Sequence, residues 1–263
     1  MPPAKKRTRS YDSAKTRAAV LAQFEHVRAA VLTLTPEQLE QPTRLGDWTV
    51  RDLAAHIAMV MGTVSRYLAM PEPARRELAL LEWPFATVTA AGQVDEDTRA
   101  IAASAEPGEL FARTAAAIQK DLPGTSDERL VPSRFGGMRL GDFLVTRTVE
   151  LIVHTDDLNH ATGLGIPYDK HALAACTRLL ADALAVKAPG GSVEVRVPPY
   201  AVVQCVEGPR HTRGTPPNVV ETDPLTWIRL ATGRVGWSEA VAGAQVSASG
   251  ERADLSALLP VLG

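Results

Sequence analysis

Glu150, His154 and Asp157 have the types and the spacing to do chemistry together. In a helix, positions i, i+4 and i+7 share a face, so a carboxylate, an imidazole and a second carboxylate line up along one stripe. Their neighbours Val149, Leu151, Ile152, Val153 and Leu158 are apolar, which turns the segment into a core. A carboxylate buried there without a partner is costly. A Glu–His hydrogen bond would answer that cost, and so would a helix edge that stays partly exposed. A divalent metal is the third answer. Helical i, i+4 spacing lets a carboxylate and an imidazole reach one ion, as in the His-Glu-x-x-His helices of zinc proteases.

A second segment offers a further ligand. His56 follows Trp48-Thr49-Val50-Arg51-Asp52-Leu53-Ala54-Ala55, with Leu53 three residues before it and Val60 four after, and so faces a core. Alone it reads as a satisfied core histidine. Joined to Glu150 and His154 it completes two imidazoles and one carboxylate. Three protein ligands leave positions open for water or substrate, the catalytic pattern of Zn²⁺ rather than the closed structural one. Asp157 then stands behind the ligands as a carboxylate that orients His154 by a hydrogen bond.

The elements that must hold these residues are legible in outline. Residues 12–34 repeat apolar positions with a helical period through Val20, Phe24, Val27 and Val31. Thr35-Pro36 starts a short helical turn. Thr49 with Asp52 has the form of a capping box opening a helix from Val50 to Met70, ended by Pro71 and Pro73. Residues 74–103 read as less regular helix broken at Trp83-Pro84, 107–121 as a further helix, and 124–137 as a Gly- and Pro-rich loop. Asp142 is a candidate cap for the helix that carries Glu150 and stops at Gly163. After it come an Ala/Leu helix at 169–187 and β-type runs at 192–197 and 201–206, with a Gly/Pro-rich loop over 208–217. A third strand at 218–221, a helix from Asp223-Pro224 to Gly233, a short helix from Ser238, a strand at 245–249 and a helix from Ala253 to Leu259 finish the chain. The division expected is a solvated basic tail over 1–11, a helical bundle over 12–165 and a small α+β domain over 168–263.

Composition narrows the function. The chain of 263 residues is 45% hydrophobic with a formal charge of −2, enough apolar material for a packed core and no basic excess for nucleic acid or an anionic membrane surface. The one basic run, Lys5, Lys6, Arg7 and Arg9, is followed by Tyr11, Asp12 and Lys15 rather than an apolar stretch, so it is not read as a secretory signal. Cys176 and Cys205 sit in apolar surroundings and read as reduced core thiols of a cytoplasmic protein. Arg outnumbers Lys 22 to 6, pointing to a high-GC bacterial source. There is no Gly-x-Ser-x-Gly elbow and neither cysteine has a motif. His26, His160 and His171 lack partners at useful spacing, and Trp48, Trp83, Trp227 and Trp237 read as packing anchors.

The segment from Gly46 to His56 resembles the Trp-Ser/Thr-x-x-Asp/Glu-Leu/Val-x-x-His helix of the DinB-like metal-binding bundles. With Glu150-x-x-x-His154-x-x-Asp157 it resembles, within that superfamily, the mycothiol-dependent maleylpyruvate isomerase family. Residues 221–234 and 246–255 are similar to the sterol-carrier-protein-like domain attached to those bundles. The resemblance implies a DinB-like four-helix bundle followed by a small sterol-carrier-protein-like α+β domain. It also implies His56, Glu150 and His154 as ligands of Zn or another divalent metal, and mycothiol as thiol cosubstrate of an actinobacterial enzyme. The thiol would add to an activated double bond and be eliminated after rotation, or be transferred to a small-molecule electrophile. The isomerase's substrate is a dianion, so cationic partners are implied. Arg229 and Arg234 are the catalytic candidates, with Arg66 and Arg147 as further options in the bundle and a cleft between the two domains as the expected pocket. The alternatives are a carrier of lipid or another small apolar ligand through the C-terminal domain, or a family member that keeps the metal for an unrelated pathway.

Overall fold

The structure is a computed structural model and describes residues 9–208 and 217–262. Residues 1–8 of the expected tail and most of the Gly/Pro-rich loop lie outside the described residues. At the end of the tail the exposed Arg9 guanidinium donates to Asp182 at 2.8 Å.

In chain order the helices of the first part are α1 (Ser13–Val31), α2 (Pro36–Leu39), α3 (Val50–Leu68), α4 (Trp83–Ala86), α5 (Ala91–Ser104) and α6 (Pro107–Asp121). The hairpin β1 (Leu130–Ser133) and β2 (Gly136–Arg139) leads into α7 (Leu140–Thr162). Helices α1, α3, α6 and α7 close a ring: α3 packs on α6 and α7, and α1 on α7 and α6, with α5 outside α3. The reason lies in the side chains. Leu53, Ile57, Met61 and Val64 form a stripe at helical spacing on α3, all essentially without solvent exposure. Each such side chain contributes roughly 1.5–3 kcal/mol on burial. Helix α7 is buried on nearly every face, from Leu140 to Leu158, so polar groups on it must find partners inside the protein.

Three expectations change. Trp83-Pro84 begins α4 with Pro in the first turn, where its missing N–H costs nothing, rather than breaking a helix. Residues 124–137 contain the antiparallel hairpin, with Val131 opposite Met138. At Gly137 a β-carbon would lie 2.5 Å from the Arg75 carbonyl oxygen, so only glycine admits the crossing chain. Asp142 does not cap α7: the cap residue is Arg139, and the N–H groups of Leu140 and Gly141 donate to the carbonyls of Arg129 and Asp127 at 2.8 and 3.0 Å.

The C-terminal part comprises α8 (Lys170–Lys187), β3 (Val193–Val197), β4 (Ala201–Cys205), β5 (Val219–Thr222), α9 (Pro224–Ala231), α10 (Trp237–Ala242) and β6 (Val246–Ser249). Residues 253–259 form only a short 3-10 turn, Ser256–Leu258, in place of the expected helix. The sheet order is β4-β3-β5-β6, with β3 parallel to β5 and the other pairs antiparallel. Val193, Val195 and Val197 alternate inward. Helix α8 joins the two parts, packing on α1 and α7 and also on β4 and α9. The Trp227 indole N–H donates to the Thr177 carbonyl across α8 and α9 at 3.3 Å. No described helix is long and apolar enough to cross a membrane.

Both cysteines are buried. Burial pushes the Cys176 thiol well above its ordinary pKa, and the nearby Glu150 charge adds to the effect. A thiol reagent is therefore expected to label Cys176 only as the protein unfolds. Peptide mapping after labelling in native buffer checks this, and prompt modification would contradict it.

Candidate metal centre

Helix α3 places His56. Thr49 caps it through a reciprocal box: the Asp52 backbone N–H donates to Thr49 Oγ1 at 3.3 Å, and the Asp52 carboxylate accepts from the Thr49 N–H at 2.9 Å. Thr49→Ala should lower stability by about 1 kcal/mol with an unchanged denaturant slope, measured by chemical unfolding. Helix α7 places Glu150, His154 and Asp157 on one face.

The two helices bring three sequence-predicted ligands together. Donor atoms of His56, Glu150 and His154 all lie within 4.8 Å of one another. The imidazoles meet edge to face with centroids 4.7 Å apart. Their Nε2 atoms lie 3.8 Å (His56) and 3.4 Å (His154) from the same oxygen, Glu150 Oε2. Their other nitrogens are engaged from behind: His154 Nδ1 with Asp157 Oδ2 at 3.0 Å, and His56 Nδ1 with Thr98 Oγ1 at 3.2 Å. An ionised carboxylate only accepts, so His154 Nδ1 carries a proton, and the ring in its neutral form presents its Nε2 lone pair to the centre. Two imidazole nitrogens and a carboxylate oxygen, spaced too widely for good mutual hydrogen bonds, converge on one point. That donor set fits a divalent transition metal.

The electrostatics of Glu150 and His56 agree with a cation site. Burial opposes ionisation of Glu150, but His154, His56 and Arg147 outweigh it and hold the carboxyl well below the usual range. Burial pushes the His56 pKa down, favouring the neutral form that binds metal. For His154 burial also lowers the pKa, but Asp157 and Glu150 raise it further than that.

Behind the ligands lies an ion network that joins the two parts of the chain. Asp157 is fully buried and accepts from Arg44 Nε at 2.7 Å and from Arg234 Nη2 at 2.9 Å. Asp156 accepts from Arg44 at 2.5 Å, from Arg229 Nη2 and Nε at 2.7 and 2.9 Å, and from the Tyr168 hydroxyl at 3.0 Å. Arg229 is thus held by a protein carboxylate and does not line the cavity. Arg234 reaches the lining while bound to Asp157. Sequence reasoning missed Arg44, Thr98, Asp156 and Tyr168. The Asp156-Asp157 pair inside an apolar helix was the available signal, since two adjacent buried acids require cations; nothing in the spacing marks Arg44 or Thr98.

A cavity of about 440 Å³ opens onto the three donors, within the usual range for small-ligand pockets. Its walls are mostly bundle residues, among them Trp48, Met59, Trp83 and Phe143, with Phe135 from the hairpin. The C-terminal part adds Arg234 and Leu262. The cavity is therefore walled mainly by the bundle rather than shared evenly between the two parts. Trp48 and Trp83 face it instead of serving only as packing anchors, and the Trp48 N–H donates to Asp95 at 2.6 Å.

The fold has solved counterparts. A crystal structure of the mycothiol-dependent maleylpyruvate isomerase is similar at 16% identity and a TM-score of 0.60, with 93% of this chain and 95% of that one covered. A structure of a histidine-to-alanine mutant of that isomerase is similar at 14% identity and a TM-score of 0.61, over the same shares of both chains. At these identities the likeness is one of fold. Among curated proteins no sequence match is found. Residues 169–261 match the family described as "Bacterial SCP ortholog". Residues 20–159 match the family described as "Mycothiol maleylpyruvate isomerase N-terminal domain", more than half of the chain, and with the helical bundle and the converging His56, Glu150 and His154 this chain belongs to that family.

Proposed function

We propose that the protein is a metal-dependent enzyme that joins a low-molecular-weight thiol, mycothiol, to a small electrophile, either for transfer or for thiol-assisted isomerisation. The observation that carries this reading is the convergence of His56 Nε2, His154 Nε2 and Glu150 Oε2 at the base of an apolar cavity. Those three side chains would hold the metal, with zinc the best match to an N, N, O set that leaves positions open. Bound there, a divalent cation favours the thiolate, the nucleophilic form of a thiol, at neutral pH. Asp157 fixes the His154 ring and keeps its proton on Nδ1, and Thr98 holds the ring of His56. Trp48, Trp83 and Phe143 exclude water from the nucleophile. In the isomerisation the sulfur adds to one carbon of an activated double bond, the resulting single bond rotates, and elimination of the same thiolate restores the double bond.

The division into a bundle over 12–165 and an α+β domain over 168–263 belongs to this reading, with Arg229 and Arg234 tying the second to the metal-bearing helix. So does a reducing, cytoplasmic setting, in keeping with two buried cysteines. A lipid carrier would need its apolar cavity within the C-terminal part, whereas the apolar cavity described above takes only Arg234 and Leu262 from it.

Mycothiol titration by calorimetry tests the reading. Zinc-loaded wild type should bind the thiol, and zinc-stripped protein and His154→Ala should bind it at least tenfold more weakly. Equal binding by all three samples would overturn the proposal.

A further inference from the structure

The cations that line the cavity are not equally free. Arg234 is engaged by Asp157 and Arg134 by Asp97. Arg66 is exposed, where solvent screens it. Arg147 is different. It precedes Glu150 by less than one turn of α7, its side chain is only 7% exposed, and its guanidinium lies 4.5 Å from the centroid of the Phe143 ring. Its hydrogen bonds go only to uncharged oxygens. Nε and Nη2 donate to Thr146 Oγ1 at 3.2 and 3.1 Å, and Nη1 donates to the Val60 carbonyl at 3.2 Å. A guanidinium has five N–H donors, so one on each terminal nitrogen is left over. The nearest carboxylate oxygen, Glu150 Oε1, is 3.8 Å away, beyond hydrogen-bond reach.

A metal held by Glu150 would draw on that carboxylate's charge and leave Arg147 a buried cation without a counterion. Such a group is stable only with an anion to pair it. The free N–H groups on its two terminal nitrogens suit a carboxylate, and the walls beside it are aromatic and aliphatic. A second carboxylate on the same molecule would have to face those walls, compete with Asp157 or Asp97 for their arginines, or turn outward to Arg66, which is exposed and screened by solvent.

We propose that Arg147 anchors the substrate's carboxylate, and that the substrate is a monocarboxylate with a bulky apolar body, aromatic or branched, rather than a small dianion. The anchor holds the carboxylate within one helical turn of Glu150, so the electrophilic end of a short substrate lies beside the metal ligands. This inference rests on the thiol-and-metal reading for the chemistry that follows, while the anchoring itself can be tested apart from it.

The test is binding to the full-length protein, zinc-loaded and zinc-stripped, followed by the fluorescence of Trp48 and Trp83, with zinc content measured on each sample. The probes are 4-phenylbutyrate, its neutral amide, and maleate. Wild-type zinc protein should bind phenylbutyrate at least tenfold more tightly than either of the others. Arg147→Gln should erase the preference over the amide without weakening the amide itself. Arg147→Lys keeps the buried charge but loses the fork, and should weaken phenylbutyrate severalfold, which serves if the Gln variant does not fold. Equal binding of acid and amide by wild type, tighter binding of maleate, or an acid preference that survives in Arg147→Gln through direct contact with zinc would each overturn the proposal. Failure to take up zinc with the acid preference intact would refute the metal reading and leave Arg147 as the anchor.

Discussion

Replacing His154 with Ala is expected to abolish stoichiometric metal binding while leaving the fold intact. His154 supplies one of three donors that converge within 4.8 Å. Its removal leaves two protein ligands, one imidazole and one carboxylate, on different helices. Loss of a group that merely orients a ligand costs about 10–100-fold in affinity, so loss of the ligand itself should cost more than that. The side chain faces the cavity and the ion network rather than the packed stripe of α3, so its truncation should cost little stability by comparison. His56→Ala should behave alike, since both imidazoles present Nε2 toward Glu150 Oε2. Zinc titration of chelator-stripped protein, with unfolding curves alongside, is the measurement. Retention of one tight zinc per chain in both variants would mean that another set of residues binds it.

The second large effect is expected at the acidic pair of α7, and the two acids should separate. Asp157→Asn removes a fully buried charge that faces Arg44 and Arg234 and orients His154. Breaking a buried ion pair on one side leaves the other charge uncompensated, which costs roughly 3–5 kcal/mol. The same change frees the His154 ring to rotate and change tautomer, so metal affinity should fall about 10–100-fold as well. Asp156→Asn should also destabilise, because Arg44 and Arg229 lose their partner. It does not touch a metal ligand, and its zinc affinity should stay within about threefold of wild type, a difference below 1 kcal/mol. Equal metal loss in the two variants would show that zinc binding follows overall stability and not the hydrogen bond to His154.

What could be read from the sequence was what local chemistry decides. The box at Thr49 and Asp52 fixes the start of α3 and thereby the direction of His56, and the four-residue step on α7 fixes Glu150 against His154. The alternation of Val193, Val195 and Val197 marked its strand for the same reason. The hairpin was not legible, because strands of four residues that contain Pro132, Gly136 and Gly137 have a turn's composition and are held by register and by the crossing at Arg75. The network around Asp156 and Asp157 was not legible either. Arg44 and Arg234 come from 113 and 77 residues away along the chain, the first brought in by the packing of α3 on α7 and the second by the C-terminal part docked through α8. Arg229 and Arg234, the cations that the resemblance implies for the substrate, have the protein's own carboxylates as partners. The guanidinium with donors to spare is Arg147, whose sequence neighbourhood looks like any apolar helix.

X-ray absorption at the zinc edge, on wild-type protein loaded with one equivalent and free of added thiol, reports whether two histidines and one glutamate hold the metal. Nitrogen and oxygen neighbours at about 2.0–2.1 Å are expected, with the outer-shell scattering of two imidazoles. A sulfur shell from Cys176 or Cys205, or a spectrum without imidazole scattering, would contradict it.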